Sequence, residues 1–381
     1  MRRGRCGRRG LEGFSLDATA WRNAVGARVP VYDRLLAAAV GIFEHPQDGL
    51  ERAARDRVEA AWRERRSAAS YDRPLLLLAT LRAEALRAGP RHPLFAAIGS
   101  AAIDPEAATR PALAAALADA PARLFVDLAT RRVQTNETSR AVAWLWPAAL
   151  AGCADTDRPL ALFDVGCSAG LNLSADRLPA PWIDLAGNAL PVAAAARIVT
   201  RLGFDAHPLD VGRDDDVVWL RACVWPGETS RLERLDRAIA VFQLASSAPN
   251  PPRLQIAEAS DVAARIERSS GEHPTATLLL AYQTVVRDYL PDDVKSRYLA
   301  GMTAWVAAEA AAGPRRVWIE LEAASDVLAD PGPLPMALTA HLADRATGTR
   351  ALPLARCSYH PDRLAPDVAA VAEFAAETAW K

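Results

Sequence analysis

From Ala18 to about Leu150, apolar residues recur three or four apart among Ala, Arg and Glu, as in Leu75, Leu78, Ala79, Leu81 and Leu86. That spacing lays an apolar stripe along one side of a helix, and the composition is that of good helix formers, so the pattern predicts a run of helices. Pro30, Pro46, Pro74, Gly89-Pro90, Pro93 and Pro105 mark where they end or kink, because proline lacks the N–H a helix interior needs. After Asp157-Arg158-Pro159 the texture changes to short apolar or β-branched runs alternating with longer helical stretches, the signal of a mostly parallel α/β sheet. Strands are predicted over 160–165, 197–204, 253–257, 276–282 and 316–321, with helices over 171–178, 214–223, 229–245, 261–268 and 292–312. A last pair of runs, 336–343 and 350–357, flanks Thr347-Gly348-Thr349 and reads as an antiparallel hairpin.

At 381 residues the chain exceeds what one core usually supports. The expected division is an Arg-rich disordered extension (1–15), an all-helical N-terminal domain (16–155), a Rossmann-like α/β domain (156–361) and a C-terminal helix (362–381). With 45 basic and 46 acidic residues there is no basic field to suggest nucleic-acid binding. No apolar run approaches the roughly 18 residues of a membrane span. The arginines of the first ten residues are followed by Leu11-Glu12-Gly13 rather than an apolar segment, so export is not expected. Five scattered cysteines without a C-x-x-C pair, and histidines without ligand spacing, favour a reducing cytoplasm and no structural metal.

The chemistry-bearing candidate is Leu160-Ala-Leu-Phe-Asp-Val-Gly-Cys-Ser-Ala-Gly-Leu-Asn-Leu173: an apolar strand, a small-residue turn and a helix start. Gly166 and Gly170 allow a sharp bend and close approach to a ligand, with Ser168 between them as a further cofactor-binding candidate, and the first helical N–H groups face whatever lies above them. Asp164 is placed to hold the ammonium of an amino-acid-bearing cofactor, a combination that suits S-adenosylmethionine. Neither the P-loop nor the dinucleotide spacing is present. Gly166-Cys-Ser-Ala-Gly170 does match the G-x-S-x-G elbow of α/β-hydrolases, with Ser168 as nucleophile and Asp326 or Asp330 and His341 or His360 completing a triad. The helical leader lacks the earlier strands and oxyanion loop such an elbow requires. A plain tight turn with no ligand is the third reading.

Ligands of open α/β sheets lie beyond the carboxyl ends of the strands. There Asp205, with Asp210 as fallback, is a candidate for ribose hydroxyls and Glu258 for an adenine amino group; as helix caps they would be merely structural. Tyr282 and Gln283 end the fourth predicted strand, Tyr282 as candidate catalytic group or as a packing residue, Gln283 facing a substrate. Ahead of the α/β region, Gln134, Asn136, Glu137 and Arg140 are denser in hydrogen-bonding groups than helix capping requires and are candidates to line a cleft.

This segment, together with Asp-Val-Gly-Cys-Ser-Ala-Gly-Leu-Asn-Leu, Pro208-Leu-Asp-Val and Trp219-Leu-Arg-Ala-Cys-Val-Trp-Pro226, resembles the bacterial domain-of-unknown-function family 2332 over nearly the whole chain. The resemblance implies a class I methyltransferase-like sheet, parallel strands closed by a C-terminal hairpin, behind a helical domain. It carries no substrate or reaction with it. Three positions depart from the family's pattern: Tyr282-Gln283 stands where His-Ser is usual, and Glu258 where an Asp is usual. The expectation is therefore an S-adenosylmethionine-dependent methyltransferase of a small molecule, with a non-catalytic binding protein on the same scaffold as the alternative.

Overall fold

The structure, a computed structural model, describes residues 10–65, 71–134, 136–154, 156–194, 196–309, 313–324 and 333–379. Contacts divide the chain into two compact units, residues 1–135 with 212–233 and residues 136–211 with 234–381.

The first unit is helical. Helices Phe14–Val25, Pro30–Glu44, Gly49–Trp62, Asp72–Ala88, Arg110–Ala118 and Ala122–Thr130 follow the predicted stripes. Pro30 and Pro74 lie in the first turns of their helices, where a missing N–H costs nothing, so Pro74 helps to start a helix rather than break one. Phe14 packs against Phe43 and Trp62 with ring centroids 5.1 and 5.8 Å away. Helix Asp214–Cys223 belongs to this unit although it follows much of the α/β region in sequence. Arg131 supplies the attachment: its guanidinium bonds Asp127, Asp215 and Asp216 at 3.1, 2.8 and 2.7 Å and lies over the Trp219 ring, whose Nε1 donates to the carbonyl of Arg132.

The second unit is built on a nine-stranded mixed sheet: β1 (Pro159–Val165), β2 (Ile183–Asp184), β3 (Arg197–Asp205), β4 (Arg253–Ile256), β5 (Leu278–Thr284), β6 (Arg315–Ala323), β7 (Met336–Asp344), β8 (Gly348–Cys357) and β9 (Arg363–Pro366), in the order β2-β9-β8-β7-β6-β5-β1-β3-β4. The five predicted parallel strands are parallel neighbours, and β7 and β8 extend the sheet as the predicted antiparallel hairpin. Along β1, Leu160 and Leu162 face one side, where they meet Trp144 and Trp146 of helix Val142–Leu150. Ala161, Phe163 and Val165 face the other, against helices Ala259–Ser270 and Asp292–Ala307. Both faces are covered, which is why these strands read as continuous apolar runs.

Three local expectations are corrected. Residues 362–381, expected as one helix, begin with β9, whose Leu364 pairs with Cys357 and is buried; the helix is Val368–Thr378, with Asp367 accepting the Ala370 N–H at its head. Residues 171–178 form a tighter 3-10 helix, Leu171–Arg177. The helix expected to reach 312 ends at Ala307, and residues 310–312 lie outside the described ones. β2 and β9 were not anticipated, because two and four residues are too few for a period to register.

Candidate functional site

Strand order runs from β1 through β3 to β4 on one side and from β5 to β6 on the other, so it reverses between β1 and β5. The crevice rule for open α/β sheets points to the carboxyl ends of these two strands. Each ends in a turn that holds a non-glycine residue at positive φ: Ser168 at 54° after β1 and Val285 at 57° after β5. For a β-branched valine this is a true outlier, of the kind retained where surroundings over-determine the backbone.

The first turn is anchored from β3. Gly166 and Cys167 N–H both donate to the Phe204 carbonyl, at 2.8 and 3.1 Å, and Gly170 N–H returns to the Cys167 carbonyl. Asp205, at the tip of β3, accepts the Ser168 N–H on one carboxylate oxygen and the His207 N–H on the other, both at 2.8 Å. Gly166 and Gly170 sit at φ 70° and 69°. Their missing side chains leave room for protein: a Cβ at Gly166 would meet Val286 Cγ2 at 2.6 Å, and one at Gly170 would meet Leu254 Cδ2 at 2.5 Å.

Asp164 is 4% exposed on the same face as Tyr282, its register partner on β5. Burial pushes its carboxyl up to about 8, with the nearby Asp205 charge adding to the effect and the adjacent Tyr282 hydroxyl opposing it. That hydroxyl stands against Asp164 without a hydrogen bond of ordinary geometry, and burial raises it well above its usual range. At neutral pH the pair is an enclosed neutral acid beside a neutral phenol. Cys167 is likewise buried, its thiol pushed up by burial and by Asp164, which makes it inert as a nucleophile.

The second turn is held by Glu322, which the sequence did not single out, and by Gln283, which was expected to face a substrate and is instead buried. Glu322, buried on β6, accepts the Val286 N–H at 2.8 Å, the Gln283 side-chain amide at 2.7 Å and, more weakly, the Arg287 N–H. Gln283 is itself fully buried, and its carbonyl oxygen accepts from the Tyr298 hydroxyl, so it bridges two buried groups. Burial raises the Glu322 carboxyl to about 7 against the pull of these donors. Glu320, one pleat away on the same face, bonds His341 Nε2 at 2.8 Å, and the His341 ring stacks on Trp318 at 4.3 Å. The available signal was two acids two apart in the apolar run Val317-Trp-Ile-Glu-Leu-Glu322: a buried strand carries carboxylates only when something needs them.

Of the residues ahead of β1, three come to this region. Asn136 donates to Ser168 Oγ at 2.7 Å. Glu137 is buried, caps the 3-10 turn Thr138–Ala141 through Ser139, and pairs with His360 at 3.0 Å and Arg234 at 3.6 Å. Arg140 donates to the Tyr359 carbonyl at 3.1 Å. A small, mainly apolar cavity of about 120 Å³ opens beside Thr138 and Ser139, with Leu178, Trp182 and Arg237 among its walls. Gln134 belongs to the helical unit, where its backbone partners the Cys223 thiol. Glu258 is exposed at the head of helix Ala259–Ser270 and makes no capping bond. Of the triad candidates, His341 is held by Glu320 and His360 by Glu137, while Asp326 and Asp330 lie outside the described residues. Among the described residues, no three His, Cys, Asp or Glu side chains are grouped to hold a metal ion, and no helix is long and apolar enough to cross a membrane.

A family model described as "uncharacterized protein conserved in bacteria (DUF2332)" matches residues 28–365. The chain belongs to this family. The match includes Asn136, the β1 turn, both strand-tip acids and the β6 carboxylates, so every group of the site lies within the family's own span. No curated protein and no solved structure matches the chain.

Proposed function

We propose that this DUF2332 protein binds a nucleoside-bearing small molecule at the carboxyl ends of β1, β3 and β4, that the ligand is S-adenosylmethionine, and that a small acceptor is methylated there. The observation that carries the reading is the reversal of strand order at β1, which coincides with the glycine-bounded turn 166–170. Asp205 and Glu258 stand at the tips of adjacent strands. Asp205 uses one lone pair on each oxygen for the turn and keeps the others for ribose hydroxyls. Glu258 is open to an exocyclic amine.

The residues fit the nucleoside half of such a ligand and not its amino-acid half. Asp164, the expected partner of an ammonium, is enclosed and neutral, and Val286 covers Gly166. Tyr282 is fully buried and offers no catalytic hydroxyl to the crevice. The same observations favour a second reading, a non-catalytic nucleoside-binding protein on this scaffold. Calorimetry on the full chain with S-adenosylmethionine, its demethylated product and adenosine separates them. Comparable affinity for all three is expected, because the donors address the shared nucleoside. Binding without methyl transfer to any acceptor favours the second reading. No heat from any of the three, with protein shown to be folded, defeats both.

A further inference from the structure

A second site lies at the other end of the sheet's edge. Between β4, which closes the sheet on that side, and the last turns of helix Ala259–Ser270 there is a cavity of about 500 Å³, walled mostly by polar groups. Its volume falls in the range of small-molecule sites. Arg265, Arg268 and Ser269 line it from the helix at positions three and four apart, which places them on one face. Arg253, the first residue of β4, faces them with Gln255, and Glu272 is the one acid in the wall.

Among the described residues no ion pair closes off any of these three guanidiniums, although Glu272 shares the wall. Elsewhere in the same unit, Arg316 takes Glu267 of the very same helix at 2.6 Å, and Arg201, also among the lining residues, is closed off by Asp176 at 2.7 Å. Glu267 lies between Arg265 and Arg268 in sequence yet turns to Arg316 on β6, leaving both cavity arginines without it. Like charges three apart on a helix repel. Arg268, in the last turn, also offsets the helix's negative end, which accounts for one arginine and not for three.

We propose that this cavity binds a small phosphorylated polyol. Arginine forks match phosphate oxygens in pairs, and three around one space supply both charge and geometry. Gln255, Ser269 and Thr200 offer neutral hydrogen-bonding groups for hydroxyls. No aromatic side chain lines the cavity, so a nucleobase has no platform to stack on, and this separates the site from the nucleoside crevice beyond Asp205.

The test is calorimetry on the full chain at low salt with ribose 5-phosphate, inorganic pyrophosphate and ribose. Both phosphates are expected to bind and ribose is not. Arg265→Gln with Arg268→Gln should weaken binding at least about tenfold, and Arg253→Gln severalfold, as loss of charge-assisted bonds implies. Arg253 and Arg268 are exposed and Arg265 partly so; unchanged melting temperatures without ligand confirm that the variants fold. The proposal is overturned if neither phosphate binds, if the variants bind as the parent does, or if ribose binds as well as its phosphate. A single-stranded oligonucleotide that binds and is not displaced by pyrophosphate also overturns it, in favour of nucleic acid.

Discussion

The turn after β1 puts Ser168 at φ 54° and the turn after β5 puts Val285 at φ 57°, yet the two are held by different chemistry. Ser168 is short and polar, and its turn is tied down by a half-buried carboxylate, Asp205, and an amide, Asn136. Val285 is branched at Cβ, pays more for the same backbone region, and belongs to a turn gripped from below by the deeply buried Glu322. The carboxylate that holds the outer turn can stay hydrated on its free lone pairs. The one that holds the inner turn cannot, and its charge becomes costly and pH-dependent. The turns meet where Val286 occupies the space a side chain at Gly166 would need.

The largest expected effect sharpens this contrast at Asp164, just before the first turn. Its folded pKa of about 8 lies above the ordinary 3.8, so between pH 4 and 8 the unfolded chain releases a proton that the folded protein keeps. Asp164 therefore contributes most to stability at low pH, and that contribution drains away as pH rises through this window. Asp164→Asn, isosteric and neutral, should raise stability by about 3 kcal/mol at pH 8 and by almost nothing near pH 4, read from urea unfolding at both values. A variant as pH-sensitive as the parent would mean that Asp164 is solvated after all.

Gly166→Ala should cost about 2 to 3 kcal/mol, from positive φ and from collision with Val286 together. Adding Val286→Ala should recover about 1 kcal/mol if the turns are in contact, and nothing if backbone conformation is the whole cost. Glu322→Ala removes the acceptor of the Val286 N–H and of the Gln283 amide. It is expected to lose about 2 kcal/mol, less than three stranded donors suggest, because the cost of burying the carboxylate goes with it. Hydrogen exchange should report the loss at Val286 and Arg287 before it appears elsewhere. The smallest effect belongs to the outer turn. Asp205→Asn keeps one acceptor oxygen of two, so one of the Ser168 and His207 amides loses its partner for about 1 kcal/mol, and amide exchange identifies which.

Much of the fold was legible in advance because its signals are local. Short apolar or β-branched runs marked β1, β3, β4, β5 and β6, and the hairpin of β7 and β8 announced itself through Thr347-Gly348-Thr349. The strand–turn–helix at 160–173 was visible as composition, and so was the density of polar groups at 134–140 that brings Asn136 to Ser168. Asp205 was expected at a strand tip and stands there, but bonded to the turn rather than open on all sides. Glu320 and Glu322 carried a local signal, two acids in an apolar strand, but their partners did not: Tyr298 comes from helix Asp292–Ala307 and His341 from β7.

The sequence by itself determined the longer strands and helices and where the glycine-bounded turn falls, since side-chain periodicity and turn chemistry act over a few residues. Only the tertiary structure decided which strands are neighbours, and with that everything chemical about the site. Placing β5 between β1 and β6 sets Tyr282 beside Asp164 and brings Glu322 beneath the Val286 turn. Independently of the strand order, helix Asp214–Cys223 joins the helical unit, where its Asp215 and Asp216 meet Arg131. A carboxylate's proton affinity and a glycine's free space depend on atoms contributed by distant parts of the chain, and no local pattern encodes them.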